Sequence, residues 1–326
     1  MLRSLVGSEM CIRDRFDGGI VVASSSTPTA TPRKRNPGRN LPAAFGTGIF
    51  LGGIVLFVVL GVPALTDNRL TAQLIWAVLV AILVVLALKE VLDRLHEHGY
   101  QLPSIAIHLL GQVVAWSALA GVRGIMVAFL LSIMVFAVVR LFLEGNKAAP
   151  KNWLRDTSMG GFLLAWIPLM AAFTTVLMGF QSAERGIKGN LILITFIVTV
   201  VCSDIGGYTF GVLWGKHPLA PKVSPKKSWE GLAGSLIFSL IAAILMTVFL
   251  LDLSWWVGVL LGIGLVFSDI FGDLAESQFK RELGIKDMSN LLPGHGGMMD
   301  RLDGILPSAA MTWIVLTIIV AVNGLL

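Results

Sequence analysis

Six ionisable side chains between residues 269 and 303 are spaced so that they could meet at one point. Asp269, Asp273, Glu276 and Lys280 follow one another at intervals of 4, 3 and 4, which on a helix lines them along a single face. Asp300 and Asp303 stand three apart just beyond a Pro-Gly-His-Gly-Gly segment. Hard divalent cations such as Mg²⁺ take oxygen ligands, usually one or two protein carboxylates together with the phosphates of a substrate. Asp273 and Glu276 therefore read as metal ligands, with Asp300 and Asp303 as a second pair. The competing reading is a solvated ion network with Lys280, Arg281 and Arg301. Four carboxylates on two converging helical faces favour the metal.

Three further segments belong with these acids. Ser203-Asp204-Ile205-Gly206-Gly207-Tyr208 interrupts an apolar run, where an Asp is costly enough to mark a function. Its glycines allow close helix contact, and Tyr208 lies one turn from Asp204 on the same face. The second segment is the basic run Lys222-Val223-Ser224-Pro225-Lys226-Lys227-Ser228-Trp229-Glu230-Gly231. Ser224 and Pro225 suit a turn into a helix, and a helix N-terminus beside Lys226 and Lys227 would attract an anion. In the third, Gly296 and Gly297 let backbone amides approach a phosphate, and His295 can donate to one. His96, His98, His108 and His217 read as packing or surface residues.

The elements that must position these residues are membrane helices. The chain has 326 residues, of which only 14% are charged, and a mean hydropathy of +0.81; soluble domains run near 25% charged. Apolar blocks near residues 44–65, 70–88, 104–121, 124–143, 160–179, 190–213, 232–251, 254–272 and 305–325 are each long enough to span a bilayer. They predict an all-α polytopic membrane protein with about nine transmembrane helices. With the N-terminus inside, 18 of the 25 Lys and Arg residues fall in inside segments and 4 in outside ones. Excess Lys and Arg marks cytoplasmic loops, so the expected topology is N-in, C-out with the acidic cluster facing the cytoplasm.

Residues 1–42 are expected to form a disordered basic tail, of which 1–15 resemble translated sequencing-adapter read-through more than a targeting signal. Residues 43–326 then form a single membrane-embedded domain, with its catalytic half at about 200–305. Cys11 and Cys202 suggest neither disulfide nor metal-thiolate chemistry, and no P-loop or dinucleotide fingerprint is present.

The later motifs carry a resemblance. Ser277-x-Phe279-Lys280-Arg281, Lys286-Asp287 and Pro293-x-His295-Gly296-Gly297-x-x-Asp300-Arg301-Leu302-Asp303 resemble the signature of the phosphatidate cytidylyltransferase (CDP-diacylglycerol synthase) family. Ser224-Pro225-Lys226-Lys227-Ser228-x-Glu230-Gly231 and Ser203-Asp204-x-x-Gly207-Tyr208 are similar to its other two motifs, so the match spans roughly residues 200–305. The resemblance implies that CTP and phosphatidate give CDP-diacylglycerol and pyrophosphate with Mg²⁺ required. It also implies a homodimer in the bilayer of the cell's inner membrane, with two cations per site, the second of which can be K⁺.

On that basis Asp273 and Asp300 are the principal metal ligands, and Asp204, Glu276 and Asp303 support them. Lys226, Lys227, Lys280, Arg281 and Arg301 are expected on phosphates, with Ser224, Tyr208, His295, Gly296 and Gly297 lining the site. No nucleic-acid partner is expected. The alternatives are a CTP-dependent polyprenol kinase and an ion-coupled transporter. The latter is disfavoured because the polar sites crowd the second half without a counterpart in the first.

Overall fold

The computed structural model describes residues 41–66, 68–145, 151–182, 186–292 and 296–323. The expected basic tail up to residue 40 lies outside them, as does His295. The chain is an all-α polytopic membrane protein. α1 (Leu41–Leu56) runs through a π-helical turn (Phe57–Gly61) into α2 (Val62–Thr66), followed by α3 (Arg69–Glu97), α4 (Ser104–Ser117) and α5 (Gly121–Gly145). α6 (Trp153–Leu164) joins α7 (Met170–Met178) through a second π-helical stretch around Pro168, where the ring has no N–H to give the helix ladder. α8 (Gly189–Trp214), α9 (Trp229–Phe249), α10 (Trp255–Glu282), the single-turn α11 (Met299–Leu302) and α12 (Ile305–Asn323) complete the fold.

Eight helical stretches among the described residues are long and apolar enough to cross a membrane, where nine blocks were expected. The difference lies in residues 104–143, where two of the expected blocks, α4 and α5, follow each other without a loop through a 3-10 turn and so count as one run. Within it a short 3-10 turn ends at Gly121, whose φ of 75° only glycine adopts freely, and α4 and α5 pack against each other on either side.

Helix length explains how a membrane protein presents a polar site. α3, with 29 residues, is about 44 Å long, and α10, with 28, is nearly as long, against a hydrocarbon core of about 30 Å. Both therefore carry a polar end past the apolar slab: Lys89 to Glu97 on α3, and Glu276 to Glu282 on α10. Asn68 caps the start of α3, its Oδ1 accepting from the amides of Leu70 (3.0 Å) and Thr71 (3.3 Å).

Small residues then set how closely the site helices approach. A Cβ on Gly206 would strike the Gly234 carbonyl of α9, and one on Gly207 would sit 2.5 Å from Ser235 Oγ. Ser235 Oγ donates to the Ser203 carbonyl at 2.9 Å, so α8 and α9 are joined at the level of Asp204 by small side chains and a hydrogen bond. Gly272 does the same for α10, whose backbone meets the Asp303 carbonyl and Pro307 where a side chain would otherwise stand. That approach brings Asp303 beside the acidic face of α10.

One expected element is different. Ser224 and Pro225 do not begin a helix: Ser224–Ser228 is a β-strand, paired antiparallel with Pro218–Ala220. Pro225 is tolerated because a two-stranded ribbon has a free edge on each strand, where a missing N–H costs no ladder bond. The helix starts four residues later, at Trp229, capped by Ser228 Oγ accepting from Gly231 N (3.1 Å). Glu230 secures the ribbon from within α9, its carboxylate accepting from the amides of Lys216 and His217 and pairing with His217 Nδ1 at 2.6 Å.

Candidate functional site

α8, α9, α10 and the ribbon enclose a cavity of about 340 Å³. Asp204 and Tyr208 reach it from α8, Asp269 and Asp273 from α10, and Ser224, Lys226 and Lys227 from the strand. Of the spaced residues on α10, Asp269 and Asp273 line this cavity and Glu276 and Lys280 do not; Asp269 lies outside the family signature but on the same wall. Lys227 Nζ pairs with Asp273 Oδ2 at 2.6 Å, and Ser277 Oγ donates to the other oxygen at 3.2 Å. Asp204 has Asp269 as its immediate neighbour and stands within electrostatic range of Asp273, Lys227 and Arg301.

One turn further along α10, a second group assembles. Lys280 Nζ donates both to Glu276 Oε2 (2.5 Å) on its own helix and to Asp300 Oδ1 (2.7 Å) on α11. Asp303 faces Glu276 and Asp273 at a range where like charges repel. Glu276 is fully buried, and its Oε1 has no hydrogen-bond partner. A buried carboxylate oxygen flanked by other carboxylates is a costly arrangement unless a cation, or a proton shared with Asp303, joins it.

Among the described residues no three acids converge closely enough to hold a metal ion by themselves. The ammonium group of Lys280 sits between Glu276 and Asp300, and that of Lys227 sits on Asp273. The donor set nevertheless fits a hard cation. It is made wholly of carboxylate oxygens, it includes one without a partner, and Mg²⁺ needs only one or two protein carboxylates once phosphates supply the rest.

Asp300 has a task that the spacing did not suggest. Its Oδ2 accepts from the amides of Met288 (3.0 Å) and Gly297 (2.8 Å), so one oxygen closes the loop before α11 while the other meets Lys280. Gly296 and Gly297 lie in that loop. Gly296 has a φ of 87°, and a Cβ on Gly297 would sit 2.7 Å from Glu90 Oε2, so glycine is required for both conformation and space. Arg281 is exposed and donates from Nε to the Val223 carbonyl (3.2 Å), tying α10 to the turn of the ribbon. Arg301 points from α11 towards a different, apolar cavity.

Glu90 was missed by the sequence reading. It lies on α3, about 200 residues from the loop it holds, and is buried. Its Oε1 accepts from Ser289 Oγ (2.6 Å) and Met298 N (2.9 Å), and its Oε2 from Met299 N (2.9 Å). Arg94, one turn on, donates from Nε to the Met288 carbonyl at 2.7 Å. The available signal was a Lys-Glu pair at the end of an otherwise apolar helix, which on its own looks like a helix leaving the membrane.

A model of the cytidylyltransferase family matches residues 45–319. A phosphatidate cytidylyltransferase of Mycobacterium leprae (strain TN) is 42% identical over 313 residues, covering 92% of this chain and 94% of that one. One of Mycobacterium bovis is 41% identical over 291 residues, covering 86% and 90%. A shorter match, 46% over 125 residues, joins 38% of this chain to 48% of the phosphatidate cytidylyltransferase of Staphylococcus haemolyticus (strain JCSC1435). The chain belongs to the cytidylyltransferase family.

Proposed function

We propose that this member of the cytidylyltransferase family transfers the cytidylyl group of CTP to phosphatidate, giving CDP-diacylglycerol and pyrophosphate. The observation that carries the reading is the 41–42% identity to proteins of that name along at least 86% of the chain. The site geometry supports it, since acids and lysines are gathered at one cavity wide enough for phosphates. In the reaction a phosphate oxygen of phosphatidate forms a bond to the α-phosphorus of CTP, and the bond from that phosphorus to the α–β bridging oxygen breaks, the oxygen leaving with pyrophosphate. The second pKa of a phosphomonoester is about 6, so near pH 7 the attacking oxygen is mostly ionised and no strong general base is needed.

What the protein must do is hold two polyanions in line. Lys226 and Lys227 meet phosphates from the strand, Lys280 from α10, and Arg281 and Arg301 from the two edges. Ser224, Tyr208, Gly296 and Gly297 shape the walls. Asp273 and Asp300, with Asp204, Glu276 and Asp303, are the residues that would hold Mg²⁺ and a second cation such as K⁺. Bound cations would neutralise phosphate charge and keep the displacement in line. On substrate arrival the ammonium groups of Lys227 and Lys280 exchange a carboxylate for a phosphate.

Purified protein in detergent, given phosphatidate, Mg²⁺ and each α-labelled nucleoside triphosphate in turn, tests this directly. Label should enter the lipid from CTP. Transfer of γ-label to a polyprenol would establish the kinase instead, and no transfer of either label would refute both.

The two lysines of the strand should separate in kinetics. Lys227→Ala removes a phosphate contact and also the partner of Asp273, and charge-assisted hydrogen bonds contribute about 1.5–3 kcal/mol. We expect kcat/KM to fall by about 10- to 100-fold. Lys226→Ala, whose side chain is exposed at the rim, should chiefly raise KM. Identical kinetics for both variants and the parent would leave the loop as a topology signal only.

The same reading makes the protein a homodimer of the inner membrane with its site facing the cytoplasm. In a cysteine-free background, cysteines at the exposed positions Lys222 and Asn290 should label from the cytoplasmic side, and one at Arg69 from the opposite side. Labelling of Asn290→Cys from the outer face alone would reverse the topology and remove the site from its nucleotide.

A further inference from the structure

A second cavity, of about 310 Å³, lies between α1, α3, α7, α8 and the α11–α12 segment and is walled mainly by hydrocarbon side chains. The polar atoms of Trp76 and Thr174 on its wall satisfy each other: Trp76 Nε1 donates to Thr174 Oγ1 (3.0 Å), which donates to the Ala171 carbonyl (2.7 Å). The charged residue on its lining is Arg301. Two facts tie it to the acidic site. Ile197 on this wall and Asp204 on the wall of the acidic cavity are seven residues apart on α8, two turns along one face. Arg301 directly follows Asp300 and acts electrostatically on Asp204.

We propose that this cavity holds one acyl chain of an anionic phospholipid substrate, with Arg301 meeting the phosphate at its mouth. The inference rests on the proposed reaction and adds to it the place where the lipid is held. A hydrocarbon cavity beside a guanidinium, two helical turns along α8 from a site for phosphates, matches a molecule that carries a phosphate at the end of an apolar tail. Lipid tails are as apolar as the cavity wall, so transfer from bilayer to cavity contributes little. The gain is positional: a seated chain fixes the phosphate relative to the nucleotide, and alignment of reacting groups is worth far more than affinity here.

The experiment fills the cavity from two different helices, with Ile197→Trp on α8 and Leu83→Trp on α3. Each is assayed with dioleoyl and dihexanoyl phosphatidate. For the long-chain lipid kcat/KM should fall by about tenfold or more, the scale on which apolar pockets discriminate by fit, while the short-chain lipid and the KM for CTP are retained. Equal loss on both lipids, or no loss on either, overturns the proposal.

A second arm needs no variant and no turnover. Phosphatidate carrying a diazirine at the end of its acyl chain should crosslink the unmodified protein at Trp76 or Phe196. Excess phosphatidate should compete, and diacylglycerol, which lacks the phosphate, should not. Equal competition by diacylglycerol or by a zwitterionic phospholipid would mark the cavity as a groove for bulk lipid, and absence of crosslinks there would show that it is closed to chains or filled by a second copy. An unmodified protein inactive on both lipids refutes the reaction, and the crosslinking still decides the cavity.

Discussion

Asp273→Asn and Asp300→Asn should each reduce synthesis of CDP-diacylglycerol to background while the protein still inserts and folds. Each side chain is already divided between two tasks, which makes amide replacement informative. In Asp273→Asn the side-chain oxygen can go on accepting from Ser277 Oγ, now at 3.2 Å, but the new NH₂ faces the Lys227 ammonium, now at 2.6 Å from Oδ2. Donor meets donor, and a fixed negative charge is lost where cations and phosphates must be balanced. In Asp300→Asn the oxygen can keep the amides of Met288 and Gly297, so the loop survives, but the NH₂ is turned on Lys280. Removing one preorganised electrostatic group from an active site costs about 10²–10³ in kcat, and a carboxylate that would also hold a cation should cost more. Steady-state assay beside a thermal melt in detergent separates chemistry from folding. Raised Mg²⁺, or Mn²⁺ in its place, should partly rescue Glu276→Gln, which keeps its shape at a supporting position, but not the double variant of Asp273 and Asp300. A double variant with near-normal synthesis would reduce these acids to a structural ion network.

The acids were legible because their information is local. Intervals of 4, 3 and 4 on a helix put Asp269, Asp273, Glu276 and Lys280 on one face whatever surrounds them, and the apolar runs announced the membrane just as directly. What the chain does over longer distances was not legible. Ser224-Pro225 is compatible with a helix start or an edge strand, and pairing with Pro218–Ala220, which no local propensity encodes, decides for the strand. Asp300 reads as a free ligand until the loop folds back and presents two amides to it. Arg301 reads only as a phosphate contact, and the apolar space that α1, α3 and α8 wall beside it is set by residues far apart in sequence. The blocks at 104–121 and 124–143 run together through Gly121, whose positive φ hydropathy does not encode.

Glu90→Ala should cripple the enzyme although Glu90 lies nowhere near the signature in sequence. Its carboxylate is the acceptor for Ser289 Oγ and for the amides of Met298 and Met299, all within 2.9 Å. Alanine would strand two buried amides and a part-buried hydroxyl, and each unsatisfied group costs about 1–3 kcal/mol. The loop that carries Gly296 and Gly297 would then move off α3, taking with it the Met288 and Gly297 amides that orient Asp300, so Lys280 and the acids of α10 lose their register. We expect kcat to fall by about 10²-fold or more, on the scale of an ångström's misplacement in a site, with protease sensitivity appearing between residues 286 and 298. Glu90→Gln keeps one oxygen to accept from the loop but turns an NH₂ towards donors, so it should fall between alanine and the parent. Arg94→Ala removes the bond from α3 to the Met288 carbonyl and should deepen the Glu90→Gln defect more than additively, because both residues hold one loop. Replacement of Lys89, the neighbour on α3, supplies the control for general damage to that helix. Parental kcat in Glu90→Ala would mean that the loop finds its place without the carboxylate of α3.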